Sequence, residues 1–158
     1  MCDLKENSFI NEAIEIAASN VNDGGGPFGA LIVRDGKVVG RGANQVTRTN
    51  DPSAHAEVVA IRDACKNLQT FKLEGCTIYS SCEPCPMCLG AIYWARLDKL
   101  FFAATQTDAA RAGFDDSFIY KEFELKPEDR ALYSRNLKVE SFFKPFATWL
   151  EHEQKTEY

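Results

Sequence analysis

His55 and Glu57 stand two residues apart, and Cys82, Cys85 and Cys88 fall within seven residues further along the chain. Imidazole and thiolates are donors that zinc prefers, and a catalytic zinc keeps three protein ligands with a fourth position open to water. His55, Cys85 and Cys88 supply that count. Two thiolates and a neutral imidazole leave a Zn²⁺ site formally uncharged. Water bound there falls from a pKa of about 15.7 towards roughly 7, which makes hydroxide available at neutral pH. Glu57 can take the water proton and return it to a substrate nitrogen as general acid and base. Positions two apart on a regular helix point about 200° from each other, so His55 and Glu57 must flank the metal, with at least one reaching across the first turn. The rival arrangement is a closed structural site with Cys82 as fourth ligand. It would make the chain a zinc-stabilised binding module for nucleotides or for a protein partner.

These groups need elements that begin in the right places. Phe9, Ile10, Ala13, Ile14, Ala17 and Val21 recur at three- and four-residue steps, which predicts an amphipathic helix over 8–20. Strands over 28–33 and 37–43 flank Asp35-Gly36, a dipeptide favoured in two-residue hairpin turns. Asp51-Pro52-Ser53 predicts the opening of a second helix to about Leu68, capped by Asp51 or Ser53, with Val58, Ile61, Cys65 and Leu68 as its buried stripe. A strand over 76–81, a helix over 86–96 and a strand over 99–104 follow. His55 and the cysteine cluster thus lie at the starts of two helices, whose positive ends favour thiolate over thiol. Further on, a short helix and loop over 107–120, an edge strand over 137–140 and a last helix over 145–154 are expected. The fold class is α/β: a mixed sheet of about five strands with helices on both faces.

Composition narrows the classes. With 45% hydrophobic and 26% charged residues, 158 residues suit one globular domain, 1–158, rather than a disordered or fibrous chain. No apolar run reaches membrane-spanning length and the polar, acidic start lacks signal-peptide character, so a cytoplasmic protein is expected. A net charge of −5 with no basic block argues against nucleic acid as a partner. Clustering of three of the six cysteines reads as metal chemistry rather than stapling. Gly24 to Gly29 satisfies G-x-G-x-x-G, yet it leaves a helix and enters a strand, the reverse of a dinucleotide-binding turn. Trp94, Phe101 and Phe102 fit core positions, and Cys65 and Cys76 fit small buried ones. Asn44, at a strand end, suits either a turn residue bonded to its own backbone or a contact to a base. Asp115-Asp116 suits either a solvated loop pair or a carboxylate that reads ring N–H donors.

His-x-Glu followed some 27 residues later by Pro-Cys-x-x-Cys is recognised as the zinc deaminase signature. The chain resembles the cytidine-deaminase-like superfamily through residues 50–57 and 81–92, and within it the bacterial guanine deaminases through 25–30, 113–120 and the terminal Glu157-Tyr158. The resemblance implies a three-layer α/β/α fold, usually dimeric, and zinc-assisted hydrolysis of guanine to xanthine and ammonia. It also implies one Zn²⁺ per subunit with its bound water or hydroxide, held by His55, Cys85 and Cys88, with Glu57 catalytic. For the substrate it implies Phe28 over the purine base, Asn44 and Ala56 near it, and Asp116 in preference to Asp115 as the acid that reads guanine. The apolar tail over 141–158 must dock, and the resemblance implies that Tyr158 closes a pocket, by crossing to the other subunit of a homodimer if the tail is exchanged. Alternative substrates are another aminopurine, guanosine, an aminotriazine, cytosine or tRNA adenosine.

Overall fold

The computed structural model describes residues 2–158, with the backbone alone at Cys2, Asp3 and Lys5. Helix α1 (Cys2–Asn22) starts earlier than the apolar periodicity predicts, because Leu4, Lys5 and Glu6 are good helix formers that extend it. The hairpin β1 (Gly29–Arg34) and β2 (Lys37–Ala43) turns at Asp35 and Gly36, with φ of 51° and 73°, the left-handed pair that a right-twisted hairpin requires.

A short helix α2 (Val46–Thr49) then precedes α3 (Ala56–Leu68), which begins later than expected. Neither Asp51 nor Ser53 caps it. Asp51 Oδ1 instead accepts from Ser53 N at 2.8 Å and Ser53 Oγ at 2.6 Å, closing a local turn. The parallel unit β3 (Cys76–Cys82), α4 (Pro86–Trp94), β4 (Lys99–Ala104) follows, then α5 (Gln106–Arg111) and α6 (Ser117–Glu124).

The sheet has four strands in the order β2-β1-β3-β4, one fewer than about five, with only β3 and β4 parallel. Alternation along β1 sends Leu31 and Val33 towards Ala13 of α1, and Ala30 and Ile32 towards Ala56, Ala60 and Ala64 of α3. Helices therefore cover both faces.

The buried stripe of α3 is Ala56, Glu57, Ala60 and Ala64, with Ile61, Cys65 and Leu68 only partly covered. The stripe is displaced onto small residues because the strand beneath it is glycine. A Cβ on Gly40 would stand 2.5 Å from the Ala60 carbonyl oxygen. One on Gly42 would collide with the Ala56 carbonyl and lie 2.5 Å from the Ala60 amide. Cys76 is fully buried and Cys65 partly so. Trp94 and Phe102, expected in the core, are 65% and 42% exposed, because β4 is an edge strand and Trp94 ends α4 on its outer side.

The chain divides into two compact units, Met1–Ser117 and Phe118–Tyr158. The second carries most of α6, two 3₁₀ turns (Pro127–Asp129 and Glu140–Phe143) and α7 (Lys144–Glu151). Arg130 Nε donates to the carbonyls of Glu122 and Leu125 at 3.0 and 3.2 Å, folding the loop onto the end of α6. The expected strand over 137–140 does not form. The chain there runs irregularly into the second 3₁₀ turn. No residue over 118–158 is buried.

Gly42→Ala is expected to destabilise the protein by about 2–3 kcal/mol, the scale of overpacking a tight contact, seen as a fall in Tm. Gly90→Ala in α4 is the control: its Cβ meets nothing within 4 Å, so helix propensity should raise stability by up to ~1 kcal/mol.

Candidate active site

Because β1 runs antiparallel to both β2 and β3, the start of β1, the end of β2 and the ends of β3 and β4 lie at one edge of the sheet. Asn44 N donates to Phe28 O at 3.1 Å, and Gly29 N donates to Ser81 Oγ at 3.0 Å, tying the three loops there together. The Gly42–Ala56 contact lowers the start of α3 onto the same edge.

His55 is the residue before α3 and is extended, with φ −68° and ψ 155°. Glu57 is already helical. That break removes the angular conflict of a two-residue spacing on one helix, and both side chains reach the same side. Cys85 plays the equivalent part before α4, extended at φ −64° and ψ 167°, with Pro86 in the first turn and Cys88 inside the helix. His55 Nδ1 lies 3.5 Å from Cys85 Sγ and 3.4 Å from Cys88 Sγ, and the three donor atoms fall within 4.8 Å of one another. A tetrahedral zinc with ordinary Zn–N and Zn–S bonds has N···S edges of roughly 3.5 Å, so the donor set fits the ion.

The electrostatics agree with a cation site. A hydrogen bond with Cys88 holds Cys85 down to about 4 against the effect of burial, with His55 adding to the drop. Cys88 is pushed up as the partner that keeps the proton, burial adding to the rise. His55 is raised by its hydrogen bond with Cys85. Glu57 is buried, and burial pushes its carboxyl up; its side chain bonds to Cys88, at the rim of the cluster. Cys82 is not a fourth donor. Its Sγ faces the Thr105 carbonyl at 3.7 Å, and burial raises its thiol to about 11.

Around this cluster Phe28 packs edge-on against Phe114, with ring centroids 5.0 Å apart and planes at 86°. Asn44 is buried, its Oδ1 accepting from Val46 N at 3.3 Å. Ala56 is fully buried at the first turn of α3, and no side chain caps that turn. The adjacent acids separate by role. Asp115 is exposed and accepts from Ser117 N at 2.9 Å, whereas Asp116 is half-buried, its charge felt at both His55 and Cys82. Tyr158 ends the second unit and is exposed.

Four side chains escaped the reading of the sequence. Asn20 Nδ2, buried at the end of α1, donates to the carbonyls of Gly26 and Asn44, each at 2.8 Å, and so sets the backbone of the Asn44 turn. Phe114 is the ring that meets Phe28. Glu83 Oε2 accepts from Gln106 N at 2.9 Å, and Gln106 Nε2 donates to Asp116 Oδ1 at 2.6 Å. Phe114 carried a signal as an aromatic beside the acidic pair and Glu83 one as part of the cysteine block, whereas Asn20 and Gln106 carried none.

Residues 4–104 match the cytidine and deoxycytidylate deaminase zinc-binding region. The chain belongs to that deaminase family. It is 51% identical to guanine deaminase of Bacillus subtilis (strain 168) over 98% of this chain and all of the other. It superposes on the crystal structure of a Bacillus subtilis guanine deaminase with a TM-score of 0.95 at 52% identity, covering 96% of this chain and 98% of that one. It is also 41% identical to a tRNA-specific adenosine deaminase of Aquifex aeolicus (strain VF5), over 61% of this chain and 64% of the other. The deaminase family uses zinc, and the three donors assembled here meet that requirement.

Replacing Cys85 by Ser is expected to reduce bound zinc from one equivalent to less than about a tenth, because a hydroxyl is a poor substitute for thiolate in this set. Cys82→Ser should retain the full equivalent. Metal analysis of the two purified variants checks both.

Proposed function

We propose that the chain hydrolyses guanine to xanthine and ammonia. The observation that carries the choice of base is Asp116, a carboxylate placed within electrostatic reach of His55. Guanine offers N1–H and 2-amino donors to such a group, whereas adenine would turn its N1 lone pair towards the charge. The near-full-length likeness to a guanine deaminase supports the same base.

His55, Cys85 and Cys88 would hold one zinc per subunit, which when bound supplies an acidified water next to the substrate. Glu57 accepts a proton as a water oxygen forms its bond to C2 of the ring, and returns it to the departing 2-amino nitrogen, which leaves as ammonia. Burial raises the Glu57 carboxyl above the ordinary carboxylate range, the direction that favours a group that must hold a proton between its two transfers. Phe28, braced by Phe114, packs against the purine face, and the Asn44 amide with the first-turn backbone at Ala56 fixes the ring edge. The Cys82 thiol, turned to Thr105, speaks against a closed structural site.

Residues 1–158 act as one deaminase domain whose final segment, 141–158, covers an active site, with Tyr158 closing it. The second unit has Phe143 and Phe146 packed at 5.6 Å between centroids, yet Phe142, Phe146 and Leu150 stay 69%, 59% and 62% exposed. Apolar surface of that kind calls for a partner surface. A homodimer with exchanged tails supplies one. Among the described residues no helix is long and apolar enough to cross a membrane, and the proposed setting is the cytoplasm.

Glu57→Gln is expected to keep zinc and lower turnover by about 10² or more; near-normal turnover removes the assigned role. Ammonia release should be greatest on guanine within a panel of guanine, guanosine, adenine, cytosine, an aminotriazine and tRNA. Greater release from guanosine or tRNA overturns the choice of substrate. Deleting 154–158 should leave zinc and fold in place while raising KM or lowering kcat markedly, with Tyr158→Ala showing part of that loss. Sedimentation of the active species tests exchange, because a fully active monomer is incompatible with it.

A further inference from the structure

Asp116 sits in a loop, and a loop carboxylate is a poor reader of a base unless something fixes its plane. An unrestrained Asp samples several rotamers and each binding event must freeze them. The Gln106 side chain supplies that restraint. Gln106 Nε2 donates to Asp116 Oδ1 at 2.6 Å, a short bond made by a half-buried residue.

Gln106 is itself held. Its backbone N–H donates to Glu83 Oε2 at 2.9 Å, and the Glu83 N–H donates to the Ala104 carbonyl at 2.9 Å. Thr105 and Asp108 lock the same turn through a reciprocal capping box, with Thr105 Oγ1 2.7 Å from Asp108 Oδ2. Glu83 lies in the loop between Cys82 and Cys85. Two hydrogen bonds therefore run from the loop that carries a metal donor to the acid that faces the substrate, and Gln106 makes both.

We infer that Gln106 is a positioning residue for base recognition: it orients the Asp116 carboxylate and sets its distance from the metal loop through Glu83. This rests on the reading of Asp116 as the acid that reads guanine. The residue type fits the task. A glutamine amide fixes one carboxylate oxygen while leaving the negative charge intact, and Oδ2 stays available for the N1–H and 2-amino donors. An Arg or Lys in its place would orient Asp116 and also neutralise the charge that turns away a ring nitrogen lone pair. Because Asp116 binds substrate before and during the reaction, loosening it should weaken both states alike and appear in KM rather than in kcat.

The test compares Gln106→Leu, Gln106→Met, Asp116→Asn and the double variant Gln106→Leu/Asp116→Asn in the zinc-loaded protein. The readouts are guanine kinetics, the competitive inhibition constant of 2-aminopurine and zinc content. 2-Aminopurine keeps the 2-amino group but presents a lone pair at N1. For Gln106→Leu the expected result is a rise of about tenfold in guanine KM, kcat within about twofold, full zinc, and a 2-aminopurine constant changed by less than about twofold. Gln106→Met, close in shape but without the donor, should behave the same, which separates the lost hydrogen bond from lost packing. The double variant should be no worse than Asp116→Asn alone. Unchanged guanine KM in both Gln106 variants, equal weakening of guanine and 2-aminopurine, or additive losses in the double variant each overturn the positioning role. If Asp116→Asn itself leaves guanine KM and the 2-aminopurine constant unaltered, the reading of Asp116 fails first and the role of Gln106 falls with it.

Discussion

Helix α3 lies against β2 with nothing larger than a methyl group at the glycine positions of the strand. Gly40 and Gly42 face the carbonyls of Ala60 and Ala56 at distances that exclude even a methyl group, and Ala60 and Ala64 complete the seam. Close approach of backbones is a use of glycine that no other residue can share. Here it determines how deeply the start of α3 sits over the sheet edge. His55 and Glu57 are attached to that start, so the height of the metal donor and the burial of the acid both follow from a contact that involves neither.

The strand directions supply the rest of the assembly. An antiparallel β1 between β2 and β3, and a β4 parallel to β3, turn four loop ends to one edge. Chemistry then needs only short-range ties. Ser81 holds Gly29, Asn20 holds the carbonyls of Gly26 and Asn44, and Glu83 holds the first turn of α5. All but the Asn20–Gly26 bond join segments distant in sequence, and each satisfies a backbone group near the site, where unsatisfied polar groups would be costly. Rigidity and polar satisfaction are met by the same bonds.

The extended residues before α3 and α4 show how an element boundary becomes a functional device. A donor placed one residue before a helix is freed from helical angles while the next residues keep them. His55 and Glu57 thus converge despite a spacing that would part them within a helix, and Cys85 and Cys88 converge on the same point. Pro86 helps fix one boundary, and the Asp51–Ser53 turn delays the other.

Local chemistry made much of this legible. Asp35-Gly36 dictates a left-handed hairpin turn through its own dihedral preferences, and His-x-Glu with Cys-x-x-Cys names its metal through donor type and count. Those signals survive because each is decided within a few residues. Where α3 begins, which of its faces is buried and why Trp94 and Phe102 are exposed were not legible, since those depend on what lies across the sheet rather than along the chain. Asp115 and Asp116 are chemically identical in sequence, and only the turn that occupies one and the Gln106 amide that meets the other tell them apart. Gln106 and Asn20 carry no motif at all, and Glu83 lies within the cysteine block with no sign there of its partner. A hydrogen bond across 10 to 24 residues of separation is set by the fold, and its partners acquire meaning only when the strands bring them within 3 Å.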